Sequence, residues 1–578
     1  MCRCILTYSF PNNNSKTIYT IMRLLYKRMK SILRIKKING IEYWYEDIPY
    51  YDKEKKQIRH KSKYVGRNIN GKPVRVRDAL NSSDEIVQDE TSFVSSKPVN
   101  AYNYGEFLPL QKIVEELKIE EYLGDLFNEK DRNMILSMAL NRVIRPTAMY
   151  NLKTWYENSV LSLQWPELPL KSQNISNLLA KVGNSDIPSM FMGKMFRNLG
   201  TKRTLMYDLT SLSSYSQLIN LLEYGYNRDN CDLPQINLSM IVDKEKGIPV
   251  MYDIYPGSIV DVTTLKNTLK KIEAHGMENY TLVMDRGFFS KGNIEELVRE
   301  KIPFIMPATM ALKSVKELMS SVQKDIESPE YLHKFHKKPI FVKPVTLEEK
   351  EFKINGYCFY DPKREMEEKS TFYSRLYDMK EKLEETAIPG WRNAAEVFKE
   401  RAREMASFYS WKKIDDHFKI NIKKNAVSQR INRMGKFFLF YYGERDWVEC
   451  LTYYRERDIV EKGFKVMKND IQSLPLNTNK DSTTKGFIFV CFIGLIIRMK
   501  LLSMMKETKI IEDYTVESLL LELEKIRKVE LQNGEVIVTE LTESKRNYGK
   551  IEFMRLKSGS QDSHRSSVDP QLAFRHSS

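Results

Sequence analysis

Cysteine is scarce in this chain: six in 578 residues, Cys2, Cys4, Cys231, Cys358, Cys450 and Cys491, with no C-x-x-C pair. That scarcity excludes a cysteine-ligated zinc module and a small secreted disulfide scaffold, and it suits a reducing cytoplasm. Cys2 and Cys4 have no His or Cys partner at finger spacing and read as incidental thiols. Long apolar runs are missing as well. The most apolar stretch, 487–497, ends at Arg498 and Lys500, too short to cross a bilayer and suited to a buried core helix. No secretory leader is expected, because the opening residues are polar with Asn12, Asn13 and Asn14 among them, and Met22 or Met29 is a candidate natural start.

What is present is enough for real cores. The chain is 42% hydrophobic and 11% aromatic with 29% charged residues, and its length exceeds what one core usually supports, so several domains are expected. Lys and Arg number 92 against 76 Asp and Glu, a formal charge of +16 that favours a polyanionic partner, nucleic acid first.

The positive charge is concentrated early. Residues 22–80 form a basic region: 22–37 hold seven Lys or Arg, and the run continues with Lys53, Lys55, Lys56, Arg59, Lys61, Lys63, Arg67, Lys72, Arg75 and Arg77. Tyr43, Trp44, Tyr45, Tyr50 and Tyr51 are interleaved with these cations, which suits a small β-rich module gripping phosphates and stacking on bases, or packing on itself. Residues 81–104 are polar and read as a linker, and 105–200 carry helical periodicity from Leu110 onward. From Thr204 the pattern becomes short apolar strands, 204–209, 236–242 and 248–255, then a helix opening at 258–261 and a strand at 280–285. A helix over 291–301 and a strand over 303–307 follow. The resulting expectation is an α/β protein with a ribonuclease H-like mixed sheet over 201–309 and 434–500, interrupted by a β-rich insertion over 310–433. A C-terminal helical region over 501–555 and a disordered tail over 556–578 complete the chain.

Asp208 and Asp285 each stand at the expected C-terminal end of an apolar strand, which lifts a carboxylate toward solvent. In a sheet where the first and fourth strands are neighbours, a divalent cation fits between them. Taken singly, each is equally a helix cap or a turn aspartate. Farther on, 448–470 predicts one amphipathic helix. At 100° per residue, Tyr454, Arg457, Glu461, Lys465 and Lys468 fall within about 80° on its surface. Val460, Phe464, Met467 and Ile471 make the adjoining apolar stripe that docks the helix and turns Glu461 toward the aspartates.

The spacing of Tyr454, Arg457, Glu461 and Lys468 resembles, position for position, the signature around the third carboxylate of bacterial and archaeal insertion-sequence DDE transposases. Asp208 with Thr210, and Asp285 with Arg286, Gly287 and Phe288, resemble that family's first and second catalytic aspartates. The resemblance spans about residues 200–500. It implies that Asp208, Asp285 and Glu461 hold two Mg²⁺ (or Mn²⁺) ions, while Tyr454, Arg457, Lys465 and Lys468 contact DNA. It also implies cut-and-paste transposition on terminal inverted repeats and target DNA, by a homodimer that is cytoplasmic and nucleoid-associated on DNA, with no membrane partner. Trp391 and Trp411 in the insertion are candidates to stack on an extruded base, or core residues. Two alternatives remain open from the residues alone: a ribonuclease H-like nuclease without strand transfer, and a domesticated DNA-binding protein. A haloacid-dehalogenase phosphatase needs an Asp where Thr210 stands.

Overall fold

The computed structural model describes residues 31–38, 41–52, 57–69, 71–74, 97–200, 202–225, 233–259, 261–473, 476 and 478–539. Expectations for Cys2, Cys4, Cys231, Met22, Met29, Lys53, Lys55, Lys56, Arg75, Arg77, the linker stretch 81–96 and the tail lie outside the described residues. Residues 1–97 and 98–578 are two separate units.

In the first unit, β1 (Ile32–Ile38), β2 (Ile41–Asp52), β3 (Gln57–Ile69) and β4 (Lys72–Val74) form an antiparallel sheet in chain order. Alternate residues share a face. Arg34, Lys36, Tyr43, Tyr45, Asp47, Ser62 and Tyr64 therefore meet on one side, where Lys36 lies 4.9 Å from the Tyr45 ring and Tyr45 is 5.8 Å from Tyr64.

The second unit opens with β5 (Pro98–Asn103), so the expected linker is shorter than 81–104: its last residues pair with a strand from the far end of the chain. Helices α1 (Phe107–Glu116), α2 (Ile119–Gly124), α3 (Glu129–Ile144), α4 (Leu152–Glu157), α5 (Leu161–Gln164), α6 (Ser172–Gly183) and α7 (Ile187–Arg197) follow. Next come β6 (Arg203–Ser213), β7 (Gln235–Asp243), β8 (Ile248–Pro256), α8 (Asp261–Ala274), β9 (Tyr280–Met284), α9 (Lys291–Arg299) and β10 (Phe304–Pro307). The sheet runs β8-β7-β6-β9-β10, with β6, β9 and β10 parallel and β7 antiparallel to both its neighbours, the strand order of a ribonuclease H-like core. β7 and β9 are buried along their whole length, β9 as a near-continuous apolar run and β7 with Gln235, Asn237, Ser239 and Asp243 buried among its apolar residues. Tyr207 ties α8 to one face of β6 through hydrogen bonds with Thr264 at 3.0 Å and Thr268 at 3.1 Å.

The interruption divides in two. After α10 (Lys313–Val322), strands β11 (Leu332–Phe335), β12 (Lys338–Glu348) and β13 (Lys353–Tyr360) extend the main sheet instead of forming a subdomain apart. Their apolar residues, such as Ile340, Val342, Ile354 and Phe359, join the main core. The remainder is mostly helical: α11 (Pro362–Glu384), α12 (Ala394–Ala402), the hairpin β14 (Tyr409–Ile414) and β15 (His417–Ile422), and α13 (Lys424–Ile431). It has a core of its own, centred on Phe372, Leu376, Phe398, Tyr409 and Phe418. The expected β-rich insertion over 310–433 is thus β-rich in its first part only. The chain returns through β16 (Lys436–Tyr442), between β13 and β10.

The helix expected over 448–470 is divided into α14 (Trp447–Glu456), α15 (Asp458–Lys465) and a π-helical turn, Val466–Asp470. Then α16 (Asp481–Glu507) runs through the middle of the unit. It is long and apolar enough to span a bilayer, but its apolar residues are buried against α1, α3, α6 and β8. The eleven-residue apolar stretch is only its centre, and polar Asp481, Thr483 and Lys485 belong to the same helix. Where α6 crosses it, Gly183 and Gly486 allow backbone-to-backbone approach: a Cβ on Gly486 would collide with the carbonyl oxygen of Leu179. The helical module over 105–200 therefore shares one core with the sheet. Past α16, the expected helical region holds α17 (Val516–Leu523) but also β17 (Arg527–Leu531) and β18 (Val536–Val538), a hairpin completed by β5.

Candidate active site

Asp208 lies in the middle of β6, not at its end. The reason is that β6 outruns its parallel neighbour: β9 stops at Met284, opposite Tyr207, while β6 continues along β7 to Ser213. Asp208 is therefore the first residue of β6 with no ladder partner on the β9 side, and Asp285 is the first residue past the end of β9. The two aspartates are neighbours by register. Asp285 opens a single helical turn, Arg286–Phe288, whose Phe288 is buried against Tyr207 with ring centroids 4.9 Å apart.

The third carboxylate comes from α15. Val460, Phe464, Met467 and Ile471 are buried, so the helix docks through the expected stripe, and Glu461 is left on the open side. Gly463 allows close seating: a Cβ there would stand 3.6 Å from the sulfur of Met240, the residue opposite Asp208 on β7.

All three carboxylates meet one cation. Arg457, at the joint between α14 and α15, places Nη1 3.8 Å from Asp208 Oδ2 and 3.2 Å from Asp285 Oδ1, and Nη2 2.7 Å from Glu461 Oε1. Two oxygens that close to one nitrogen are at most about 7 Å apart. The Arg457 side chain is only 13% exposed and Asp208 15%, against 55% for Glu461, so the cluster grades from the sheet outward. Nη2 donates a hydrogen bond to Glu461, whereas Nη1 and Nε are buried without a hydrogen-bond partner. The oxygen of Asp285 is within ion-pair distance of Nη1 yet out of line for a hydrogen bond.

Asp208, Asp285 and Glu461 open onto a cleft of about 450 Å³, whose other walls include Thr210, Phe464, Lys465, Lys468 and Asn469. Lys465 and Lys468 thus share the cleft with the carboxylates. Tyr454 does not line it: the ring is half-buried, 6.0 Å from Phe437, and the Arg457 guanidinium lies 5.8 Å from its centroid. The break at Arg457 and the wide π turn undo the single stripe, because residues past a π turn no longer follow 100° spacing. Asn469 went unseen in the sequence for that reason. Of the insertion tryptophans, Trp411 is packed between Phe398 and Phe418, and Trp391 is 86% exposed.

Three hard carboxylate oxygens converging on a cation are the donor chemistry of a Mg²⁺ or Mn²⁺ site. Among the described residues, no group of three His, Cys, Asp or Glu side chains is drawn tightly enough to hold an ion directly. Arg457 stands among the three carboxylates instead.

No curated protein matches the sequence. Among solved structures, a piggyBac transposase synaptic complex with hairpin DNA has a TM-score of 0.36 at 11% identity, over 69% of this chain and 70% of that one. The Drosophila P element transposase strand transfer complex has a TM-score of 0.17 at 11% identity, over 70% of this chain and 89% of that one. Likenesses this distant leave the fold to rest on the strand order itself. Residues 201–497, just over half the chain and the stretch that carries β6 through most of α16, match the transposase DDE domain family, and the protein belongs to it: it is a DDE transposase.

Proposed function

We propose that the protein binds the ends of a mobile DNA element and performs metal-dependent cleavage and strand transfer, with Asp208, Asp285 and Glu461 as its catalytic carboxylates. One observation carries this reading: carboxylates from β6, from the end of β9 and from α15 meet at a single partly buried cation beside one cleft. The Tyr454, Arg457, Glu461 and Lys468 pattern, by its resemblance to the insertion-sequence signature, supports placing the chain among the bacterial and archaeal insertion-sequence members of the family.

Asp208, Asp285 and Glu461 would hold two Mg²⁺ (or Mn²⁺) ions, which when bound supply an activated water or 3′-hydroxyl and charge neutralisation at the leaving oxygen. Lys465 and Lys468, on the cleft wall, would bind the phosphates flanking the cut, and Arg457 would take a non-bridging pair of oxygens in its fork. Tyr454 backs the Arg457 side chain and sets where it reaches. The basic first unit carries end recognition, exposed Trp391 is available to stack on a base, and two copies pair two DNA ends. The buried free thiols Cys358, Cys450 and Cys491 suit work in a reducing cytoplasm.

The test is a paired gel-shift and cleavage assay on DNA carrying the element's terminal repeats, with Mg²⁺ at fixed salt. Glu461→Gln is expected to bind like wild type and to lose cleavage; wild-type cutting by that variant would remove the third carboxylate from the reaction. Joining of the cut end to target DNA separates a transposase from a nuclease that stops at cleavage.

A further inference from the structure

Arg457 stands among the three carboxylates that would hold a metal ion. Its guanidinium lies within 3.8 Å of all three site carboxylates, and a divalent ion seated among the same oxygens would face a like charge a few ångströms away. We infer that Arg457 is a displaceable counter-cation: it holds the empty carboxylate cluster together, and a DNA phosphate draws it off, so that metal loading is coupled to the arrival of DNA. The inference rests on the carboxylate reading given above and adds an order of events to it.

Three features support displacement over a fixed structural role. First, the guanidinium is ion-paired to three carboxylates but hydrogen-bonded only through Nη2, with Nε and Nη1 buried and lacking a hydrogen bond, whereas a phosphate presents two oxygens to a guanidinium fork in line. Second, Arg457 sits at an interruption of the helical ladder, where its N–H reaches Tyr454 O at 3.4 Å instead of the carbonyl one residue farther back. The side chain there is backed by a flat ring and not locked by a hydrogen bond to it. Third, the cleft onto which Arg457's three carboxylate partners open is walled by Lys465 and Lys468, so an incoming phosphate is attracted to those carboxylates' surroundings. Reciprocity then requires that metal raise DNA affinity by the factor that DNA raises metal affinity.

The experiment titrates the full-length protein with Mn²⁺, followed by calorimetry and by the electron paramagnetic resonance of free Mn²⁺, with and without a short duplex DNA. Wild type is expected to bind Mn²⁺ at least about tenfold more tightly when the duplex is present. Arg457→Met is expected to bind Mn²⁺ without DNA about as tightly as wild type does with it, and to show little further gain from the duplex. Arg457→Lys, which keeps the charge and removes the fork, should fall between. An Arg457→Met protein that binds Mn²⁺ no better than wild type in the absence of DNA overturns the inference. Asp208→Asn is the separate control: Mn²⁺ binding that survives it strikes at the carboxylate assignment itself, whereas its loss leaves that assignment standing and the Arg457 outcome decides alone. Should Arg457→Met fail to fold, the two wild-type titrations still decide, because equal Mn²⁺ affinity with and without duplex is incompatible with displacement.

Discussion

Two sheets in this protein solve different problems with the same backbone. The first-unit sheet has an edge strand, β1, exposed along its whole length, and one of its faces is a layer of Tyr43, Tyr45 and Tyr64 beside Arg34 and Lys36. The nine-stranded sheet of the second unit buries β7 and β9 completely, and its site carboxylates Asp208 and Asp285 stand where β9 runs out beside β6. The contrast extends to charge. In the first sheet Asp47 accepts a hydrogen bond from the Ser62 hydroxyl, which, with nearby Lys36 and Arg34, holds its carboxyl below the usual range. In the second unit, burial pushes Glu106 up to about 7. A wet sheet can keep charges ready for a partner; a dry one can place a few of them accurately and excludes the rest.

The largest effect that separates the two is catalytic. Asp208→Asn should lower end cleavage at least about a thousandfold, some 4 kcal/mol of barrier, with melting temperature and duplex affinity near wild type. A proportional loss of duplex affinity would mean that chemistry and binding are not divided between the sheets as proposed. Next comes packing. Gly486→Val puts a branched side chain into the backbone of α6, which has nowhere to move, and should cost more than about 3 kcal/mol by denaturant unfolding. Gly71, in the first unit, has no atom within 4 Å of where a Cβ would stand, so Gly71→Ala should cost only about 1 kcal/mol, from its positive φ. Equal costs at the two glycines would erase the contrast between the close-packed second unit and the open turn of the first.

The third effect is on pH. Glu106 is buried, its Oε2 has no hydrogen-bond partner, and its carboxyl is held protonated up to about 7 against an ordinary 4.5. Between those values the folded state keeps a proton that the unfolded chain gives up. This group's contribution therefore favours the fold at low pH, falls as pH rises from about 4.5 to about 7, and is flat above, a loss of up to about 3 kcal/mol. Glu106→Gln should be as stable as wild type near pH 4 and more stable near pH 8. Parallel stability curves for the two proteins across that range would show that Glu106 ionises normally in the folded state.

The strands of the core were legible because each is a short run rich in apolar residues, alternating with polar ones over much of Gln235–Asp243 and nearly unbroken at Tyr280–Met284. Asp208 could be picked out but not placed, since how far β6 outruns β9 depends on where two strands stop relative to each other. β5 looked like linker because its partner, β17, lies more than four hundred residues away. The site's organisation was hidden for a related reason. Arg457 was visible as one member of a helical stripe, yet its three ion pairs need the sheet in place, and neither the break beside it nor the π turn after it has a sequence period of its own. Tyr454 and Trp411 illustrate how an aromatic ring at a plausible site can be taken up by packing.

The smallest effect tests which face of the first-unit sheet would meet DNA if that unit carries end recognition as proposed. The face with Arg34, Lys36 and the three tyrosines carries one described carboxylate, Asp47, already engaged by Ser62 and Arg34. On the opposite face Lys61 and Lys63 stand opposite Ile48 and Glu46, in a row that also holds Glu42 and Trp44, so its positive field is partly cancelled. A tyrosine layer under cations is also the better surface for a sugar–phosphate backbone, because the rings stiffen the ammonium groups without neutralising them. Arg34→Gln with Lys36→Gln should weaken duplex binding by about tenfold at moderate salt and reduce the slope of log affinity against log salt by about 0.9 for each phosphate that is no longer neutralised. Lys61→Gln with Lys63→Gln should change both by much less, and neither pair should move the melting temperature of the second unit, whose core they do not enter. If the Lys61 and Lys63 pair shows the larger fall in slope, the sheet presents its other face to DNA, and the tyrosines are its packing layer instead of its grip.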